Sequence, residues 1–437
     1  MQAAYAPLRG IVSVPGDKSI SHRTALFVLL AHDPCRASGW LESQDTWRSL
    51  DAVKALGAKV SHVNGIIELD PPNLSELPSG SITLDCGNSG TTTRLLCGLL
   101  AGWLPPGGLQ VILEGDASLS SRPMGRVVDP LRSMGADIQY LEMDGHLPLR
   151  ISGAELHGAV CQLKVPSAQV KSALLLAAIS TKGKTVVQGA GSSRDHTERL
   201  LATMGISVAG FPGTGDLHLE GPLQAGSYNV QVPADPSSAA FFQVAAAMVP
   251  GSCLKVENQS LNEGRAGALA VLQRAGAGVV TSDRRGLPGE EMGDVEVSAG
   301  DLKAFRIEAE EIPSLIDELP VLAVLATQAQ GETVITGAEE LRVKESDRID
   351  AMTVALKKMG ADIVELPDGW RINGPTVLSG GGDETPVIIE TVDDHRIAMA
   401  MAVAALVSKG TTALDDSTTV GVSYPNFFIT LDKLLHR

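Results

Sequence analysis

An α/β fold in two lobes is predicted by three features of the sequence: a long internal repeat, a length beyond one core, and glycine punctuation between apolar helical stretches and short strands. In five places an apolar helical stretch runs into Gly-Ala or a close variant and then into a short alternating strand, at residues 49–69, 128–151, 198–219, 268–283 and 351–372. The marker glycines Gly57, Gly135, Gly205, Gly276 and Gly360 stand 78, 70, 71 and 84 residues apart. That period exceeds the roughly 20–50 residues of a solenoid unit and suits a β-α-β module of about 70–80 residues. A chain of 437 residues, 44% hydrophobic, can bury more than one core, because single cores stop growing beyond about 250–300 residues. Aromatics make up only 3%, against 46 glycines and 24 prolines, so the elements must pack on Ala, Val and Leu between many turns.

Composition also excludes classes of function. The longest apolar runs, such as 397–407, fall short of the roughly 18–20 residues a membrane span needs, and no signal region opens the chain, so a soluble cytoplasmic protein without a membrane partner is expected. Five cysteines (Cys35, Cys86, Cys97, Cys161, Cys253) form no C-x-x-C pair and no cluster with histidine, which argues for reduced thiols and no zinc. A formal net charge of −16 argues against a nucleic-acid partner, since phosphate backbones reward basic surfaces. Anions would have to bind in a local basic pocket within an acidic shell.

Such pockets are suggested where a polar turn carrying Lys or Arg leads into an apolar helix, because a helix start offers unpaired N–H groups and the positive end of a dipole. In chain order, V-P-G-D-K-S-I-S-H-R (14–23) precedes an apolar helix predicted at 24–30; Ser19 and Arg23 share a face if the helix has already begun, with Lys18 beside them. A P-loop is excluded, since Val12 and Asp17 stand where its glycines would be. D-C-G-N-S-G-T-T-T-R (85–94) enters a helix at 95–101, with glycines permitting close backbone approach and threonines as caps. In S-L-S-S-R-P-M (118–124), Pro123 begins a helix with Arg122 at its mouth. S-A-Q-V-K (167–171) heads a helix at 172–179. Asp195 and Glu198 have capping-box spacing, with Arg194 just outside. L-R-V-K-E-S-D-R (341–348) and D-D-H-R (393–396) precede helices at 349–359 and 397–407, though charge runs of this kind commonly form solvated faces. Asp317 falls in a loop before a helix whose first position suits Pro320; a carboxylate among apolar neighbours there is either a base with a raised pKa or an ordinary loop acid.

Taken together and in this order, P-G-D-K-S-I-S-H-R (15–23), G-N-S-G-T (87–91), S-L-S-S-R-P-M (118–124), S-A-Q-V-K-S (167–172), S-R-D-H-T-E (193–198), L-R-V-K-E-S-D-R (341–348) and D-D-H-R-I-A-M (393–399) resemble the 5-enolpyruvylshikimate-3-phosphate synthases, the enolpyruvyl transferase family of aromatic amino-acid and chorismate biosynthesis. The resemblance spans nearly the whole chain and implies an inside-out α/β barrel of six βαβαββ units in two lobes. One lobe would comprise residues 1–16 and 234–437 and the other 17–233, with the active site in the cleft between them. It also implies transfer of the enolpyruvyl group of phosphoenolpyruvate to the 5-hydroxyl of shikimate 3-phosphate through a tetrahedral intermediate, without cofactor or metal, in a monomer.

Carried over by position, the resemblance assigns shikimate 3-phosphate to Lys18, Ser19, Arg23, Ser167, Ala168, Gln169, Arg194, Asp317 and Lys344, and phosphoenolpyruvate to Lys18, Gly90, Arg122, Gln169, Arg348 and Arg396. Asp317 would take the hydroxyl proton, and Glu345, with Lys18, would handle the proton at the methylene carbon. Seven junction cations (Lys18, Arg23, Arg122, Arg194, Lys344, Arg348, Arg396) would meet about −5 to −6 of substrate charge. Two positions depart from the family pattern. G-V-S-Y-P (421–425) lacks the lysine many members place before this motif, and Ser118 stands where some have a basic residue. Gly90 occupies a place where glyphosate-tolerant members often have alanine, so inhibition by glyphosate in competition with phosphoenolpyruvate is expected. The alternatives are an enolpyruvyl transferase with another acceptor, which in the UDP-N-acetylglucosamine family uses a mobile-loop cysteine, and a non-catalytic binder of anionic metabolites. Retention of both Asp317 and Glu345 speaks against a mere anion binder.

Overall fold

All five marker glycines end a helix in the same way. In the computed structural model, which describes residues 7–191, 193–212, 215–286 and 289–435, the helices Gln44–Ala55, Gly125–Ser133, His196–Thr203, Gly267–Arg274 and Arg348–Lys358 run into Gly57, Gly135, Gly205, Gly276 and Gly360. Each of these glycines has φ between +82° and +99°, a region that costs an L side chain roughly 1–2 kcal/mol. The residue after each glycine returns its N–H to the carbonyl five positions back, as Ala58 to Val53 at 2.9 Å and Ala361 to Leu356 at 3.0 Å. This is the hydrogen bond that closes a Schellman motif. The sequence repeat is therefore a repeated helix stop.

The helices so terminated are the outer members of a repeated module, and the described residues divide into two units, Met1–Pro15, Pro233–Arg285 and Glu291–Arg437 on one hand, and Gly16–Val232 with Gly286–Glu290 on the other. In the second unit, one sheet runs Asn229–Gln231, Cys35–Ser38, Ile66–Asp70, Lys59–Val63; another runs Ser81–Asp85, Gln110–Glu114, Leu149–Ser152, Asp137–Tyr140. In both, the first pair is parallel and the other two antiparallel. The third sheet, Val160–Gln162, Gly183–Gln188 and Leu217–Gly221, keeps three strands, with an Ala209–His218 bridge in place of the fourth. In the first unit the four-strand order recurs as Arg9–Val12, Cys253–Ser260, Glu291–Ser298, Gly278–Gly286, and as Arg306–Ile307, Gly331–Ile335, Gly369–Gly374, Asp362–Leu366. Its third repeat is reduced to two parallel pairs, Ser379–Gly381 with Lys409–Gly410 and Val387–Ile389 with Thr412–Leu414.

One strand of each unit is exchanged in sequence. Arg9–Val12 precedes the helix Lys18–Leu26 of the second unit yet pairs with Cys253–Val256 of the first, while Asn229–Gln231 precedes the helix Pro236–Met248 of the first unit and pairs with Arg36–Ser38 of the second. The chain thus passes from one unit to the other at Pro15–Gly16 and back at Val232–Pro233.

Each core is built around three almost wholly buried helices: Lys18–Leu26, Gly90–Trp103 and Ala168–Ala178 in the second unit, and Pro236–Met248, Leu319–Gln328 and His395–Ala405 in the first. Most of their faces are apolar, as a helix covered on every side requires, and the polar side chains they bury, such as His22, Arg23, Arg94 and Lys171, are hydrogen-bonded or paired. Close packing follows from small residues. A Cβ at Gly98 would lie 2.1 Å from the carbonyl oxygen of Ala173 on the neighbouring helix, which leaves no room for any side chain.

Several helix starts lie earlier than the sequence indicates. The helix expected at 24–30 begins at Lys18 behind an Asp17 cap and tightens to a 3-10 turn over Phe27–Leu30. That expected at 95–101 begins at Gly90, with Ser89 and not a threonine as its cap. Those at 172–179, 349–359 and 397–407 begin at Ala168, Arg348 and His395. Conversely, Pro123 starts no helix; the segment begins two residues later at Gly125. Replacing Gly98 by valine should cost about 3 kcal/mol or more of stability, the upper range for overpacking a filled core, as read by urea denaturation. A midpoint equal to wild type would contradict this helix contact.

Candidate active site

The early helix starts place the junction residues inside the first turns of the buried helices. In the second unit, Asp17 caps its helix by accepting from the Ile20 N–H at 3.0 Å, so Lys18, Ser19 and Arg23 occupy the first turns. Lys18 pairs with Asp45. Arg23, 3% exposed, donates from Nε to Thr197 Oγ1 at 2.7 Å, from Nη1 to the Ser19 carbonyl at 2.9 Å and from Nη2 to Ser172 Oγ at 2.9 Å. Ser172 in turn donates to the Ala168 carbonyl at 2.6 Å, which ties Arg23 to the start of the helix carrying Ser167, Ala168 and Gln169. Every acceptor in this set is neutral. Burial therefore dominates and pulls the guanidinium down to about 10, against the opposing pull of Glu198, Asp17 and Glu290.

A second group adjoins the start of Gly90–Trp103. Gln169 accepts from Arg94 Nη1 at 2.8 Å and donates to Thr91 Oγ1 at 3.0 Å. Arg122 donates to Asn88 and, at 3.3 Å, to Ser118 Oγ. Gly90 leaves a gap here: a Cβ would stand 2.6 Å from Arg94 Nη1 and 3.5 Å from Arg122 Nη1. Arg194 is held through its backbone, its carbonyl accepting from Lys171 Nζ at 2.9 Å. The expected capping box does not form. Asp195 makes no side-chain cap bond and takes Arg199 at 2.9 Å, while Glu198 turns inward to Lys171 at 2.6 Å.

In the first unit the charge runs are not solvated faces. Arg348, 1% exposed, donates from Nε to Asp394 Oδ2 at 2.7 Å and from Nη2 to Glu345 Oε2 at 2.7 Å. Its Nη1 has no hydrogen-bond partner among the described residues and meets Asp317 Oδ1 at 3.5 Å. Asp317 also lies 3.7 Å from Arg396 Nε and 4.0 Å from Arg265 Nη1, and its carbonyl accepts from Arg396 Nη1 at 3.1 Å. The expected apolar surroundings of Asp317 are thus replaced by three guanidinium groups, because Ile316 and Leu319 pack into the core while the carboxylate points among arginines. Asp394 caps His395–Ala405 through the Arg396 N–H at 2.9 Å and accepts from Ser346 at 3.0 Å as well as from Arg348. Burial, the largest influence, would raise its carboxyl, but the charge and hydrogen bond of Arg348 together with His395 hold it below the usual range. Burial likewise works against the Arg348 charge, and Asp394, Glu345 and Asp317 together overcome it and raise the guanidinium. Lys344 closes the 3-10 turn Glu339–Val343, one residue before Glu345.

A thiol mechanism has no support in either unit. Burial pushes Cys35 and Cys86 up to about 11 and Cys97 up to about 12, and it raises Cys161 and Cys253 too, so none presents a thiolate near neutral pH. Among the described residues no cluster of His, Cys, Asp and Glu has the makings of a metal site.

Known proteins match this chain over nearly its whole length. Residues 3–431 match the family model of EPSP synthase (3-phosphoshikimate 1-carboxyvinyltransferase). The chain is 48% identical to the 3-phosphoshikimate 1-carboxyvinyltransferase of Anaeromyxobacter sp. strain K over 98% of this chain and 94% of that one. It is 42% identical to that of Oceanobacillus iheyensis over 100% and 99%. A solved EPSP synthase from Acinetobacter baumannii superposes with a TM-score of 0.86 at 37% identity, covering 98% of this chain and 96% of that one. The chain belongs to the EPSP synthase family.

Membership gives context to residues that the sequence motifs passed over. Arg94 lies three residues beyond G-N-S-G-T, at the end of the 85–94 segment, and holds Gln169; its place at the second turn of a buried helix is the signal that was available. Arg265 lies outside every motif, in the turn after Cys253–Ser260, and reaches Asp235 at 2.8 Å and Glu318 at 3.7 Å. Only the fold brings these three together. The depressed Asp394 carboxyl sets a pH prediction. Its contribution is complete above the ordinary aspartate pKa of about 3.9 and is lost as pH falls through the lower folded value. Asp394→Asn should therefore cost about 3 kcal/mol at pH 7, where it strips the buried Arg348 of its main counter-charge, and the deficit should narrow below about pH 4. Urea denaturation across that range checks it; a variant as stable as wild type at pH 7 would refute the pairing.

Proposed function

We propose a residue-level account of the reaction of this chain, a 3-phosphoshikimate 1-carboxyvinyltransferase of aromatic amino-acid biosynthesis. The enzyme moves the enolpyruvyl group of phosphoenolpyruvate onto shikimate 3-phosphate and releases phosphate. Addition forms a C–O bond between the 5-hydroxyl oxygen and C2 of phosphoenolpyruvate while C3 gains a proton. Elimination then breaks the C2–O bond to phosphate while C3 loses a proton, restoring the double bond in the product. Asp317 accepts the hydroxyl proton, and Glu345, assisted by Lys18, delivers and removes the proton at C3.

The observation that carries this reading is the setting of Asp317, a carboxylate with guanidinium groups of Arg348, Arg396 and Arg265 at 3.5, 3.7 and 4.0 Å. Such a setting puts cations beside the carboxylate, where they can meet the carboxylate and phosphate of phosphoenolpyruvate. In this account Arg348 and Arg396 of the first unit bind phosphoenolpyruvate, as do Lys18, Gly90, Arg122 and Gln169 of the second. Shikimate 3-phosphate is held by Lys18, Ser19, Arg23, Ser167, Ala168, Gln169 and Arg194, together with Asp317 and Lys344. Arg23 suits a phosphate: its present partners are all neutral, so its charge is left for a ligand. A monomer in the cytoplasm completes the proposal, a setting that suits five free thiols.

Phosphate release assayed with each substrate omitted in turn tests the whole. Release should require both substrates, and release with phosphoenolpyruvate alone would sink the acceptor assignment. Asp317→Asn and Glu345→Gln should each lower kcat by roughly 10² or more while KM stays within about tenfold; near-wild-type turnover in either removes that residue from the chemistry. Glyphosate should inhibit in competition with phosphoenolpyruvate. Gly90→Ala should weaken both ligands by roughly tenfold, because the new methyl group displaces Arg94. Unchanged KM and inhibition in that variant would place Gly90 away from the phosphoenolpyruvate site.

A further inference from the structure

Three consecutive residues, His196, Thr197 and Glu198, are buried and turn to three different partners. His196 Nδ1 lies 2.6 Å from Glu290, Thr197 accepts from Arg23 at 2.7 Å, and Glu198 takes Lys171 at 2.6 Å. The Lys171–Glu198 pair is hard to explain by stability. Both side chains are at most 2% exposed, and Glu198 Oε2 has no hydrogen-bond partner among the described residues. Buried ion pairs of this kind are often matched or bettered by apolar groups of similar size.

The geometry around Lys171 offers another explanation. An ammonium group has three N–H bonds, and Lys171 Nζ has three acceptors: Glu198 Oε1 at 2.6 Å, the Arg194 carbonyl at 2.9 Å and the Ser193 carbonyl at 3.0 Å. Glu198 orients the ammonium, and the other two bonds clasp the backbone of the loop that carries Arg194. Lys171 itself rises from the first turn of Ala168–Ala178, directly after the Ser167, Ala168 and Gln169 junction. We propose that Lys171, oriented by Glu198, is a positioning residue for shikimate 3-phosphate, setting the Arg194 backbone in register with the Ser167–Gln169 helix start. The proposal rests on the reading of Arg194 as a shikimate 3-phosphate contact.

The test compares Lys171→Met, the double variant Lys171→Met/Glu198→Met, and Arg194→Ala with wild type, by phosphate release with each substrate varied in turn and by thermal unfolding. Lys171→Met should unfold at lower temperature, since it leaves Glu198 buried and unpaired. The double variant should regain much of that loss, since it leaves no charge buried and unpaired. Its KM for shikimate 3-phosphate should nevertheless stay raised by about tenfold or more, as for a lost charge-assisted contact, against a change within about threefold for phosphoenolpyruvate. A stable double variant with wild-type KM for shikimate 3-phosphate overturns the proposal while Arg194→Ala is impaired. Wild-type KM in Arg194→Ala itself overturns the underlying reading, and the proposal with it.

Discussion

This chain builds each unit around three helices buried on nearly all sides. Their faces are mostly apolar, so caps and many of the cations collect near the amino ends, where unpaired N–H groups need acceptors and the helix dipole favours anions. Asp17, Ser89, Ser167, Asp235 and Asp394 are the caps of five of the six. Lys18, Ser19, Gly90, Ser167, Ala168, Gln169 and Arg396, all proposed to bind substrate, lie at or within a turn of these caps.

The two units solve the electrostatics of burial in opposite ways. In the second, Arg23 is surrounded by hydroxyls and a carbonyl, and its charge is left uncompensated by direct partners. That is a site with a standing appetite for a dianion. In the first, Arg348 is met by Asp394, Glu345 and Asp317, so charge is already balanced and carboxylates are held among cations. A paired network of this kind keeps bare charge out of an apolar interior. The two units therefore present different electrostatic environments.

The repeat was legible because one physical need, a left-handed residue after an outer helix, recurs five times and glycine answers it each time. Helix starts were less legible. Lys18, Gly90, Ala168 and Arg348 sit in polar segments that read as loops, and the capping that makes them helical depends on a single side chain each. The capping-box reading of Asp195 and Glu198 failed for a tertiary reason: Lys171, 27 positions earlier, offers the carboxylate a better partner than the local N–H. Arg265 was invisible because its partners Asp235 and Glu318 are distant in sequence, and nothing local marks it. The motifs carried the residues proposed to bind substrate; the side chains that hold them in place emerged only from packing.

The exchanged strands have a consequence for how the protein is made. Arg9–Val12 has its pairing partner at Cys253–Val256, about 244 residues further on, and Leu8 reaches Ser252 across the same gap at 2.8 Å. During synthesis Arg9–Val12 must wait, unpaired, while residues 16–232 of the second unit emerge. At roughly 5–20 residues per second that is on the order of ten seconds or more. The second unit, whose last strand arrives at Asn229–Gln231, can close its sheets before the first has begun. Residues 9–12 are therefore among the last of these strands to find their place, and until then they are an unpaired strand that nascent-chain chaperones would meet.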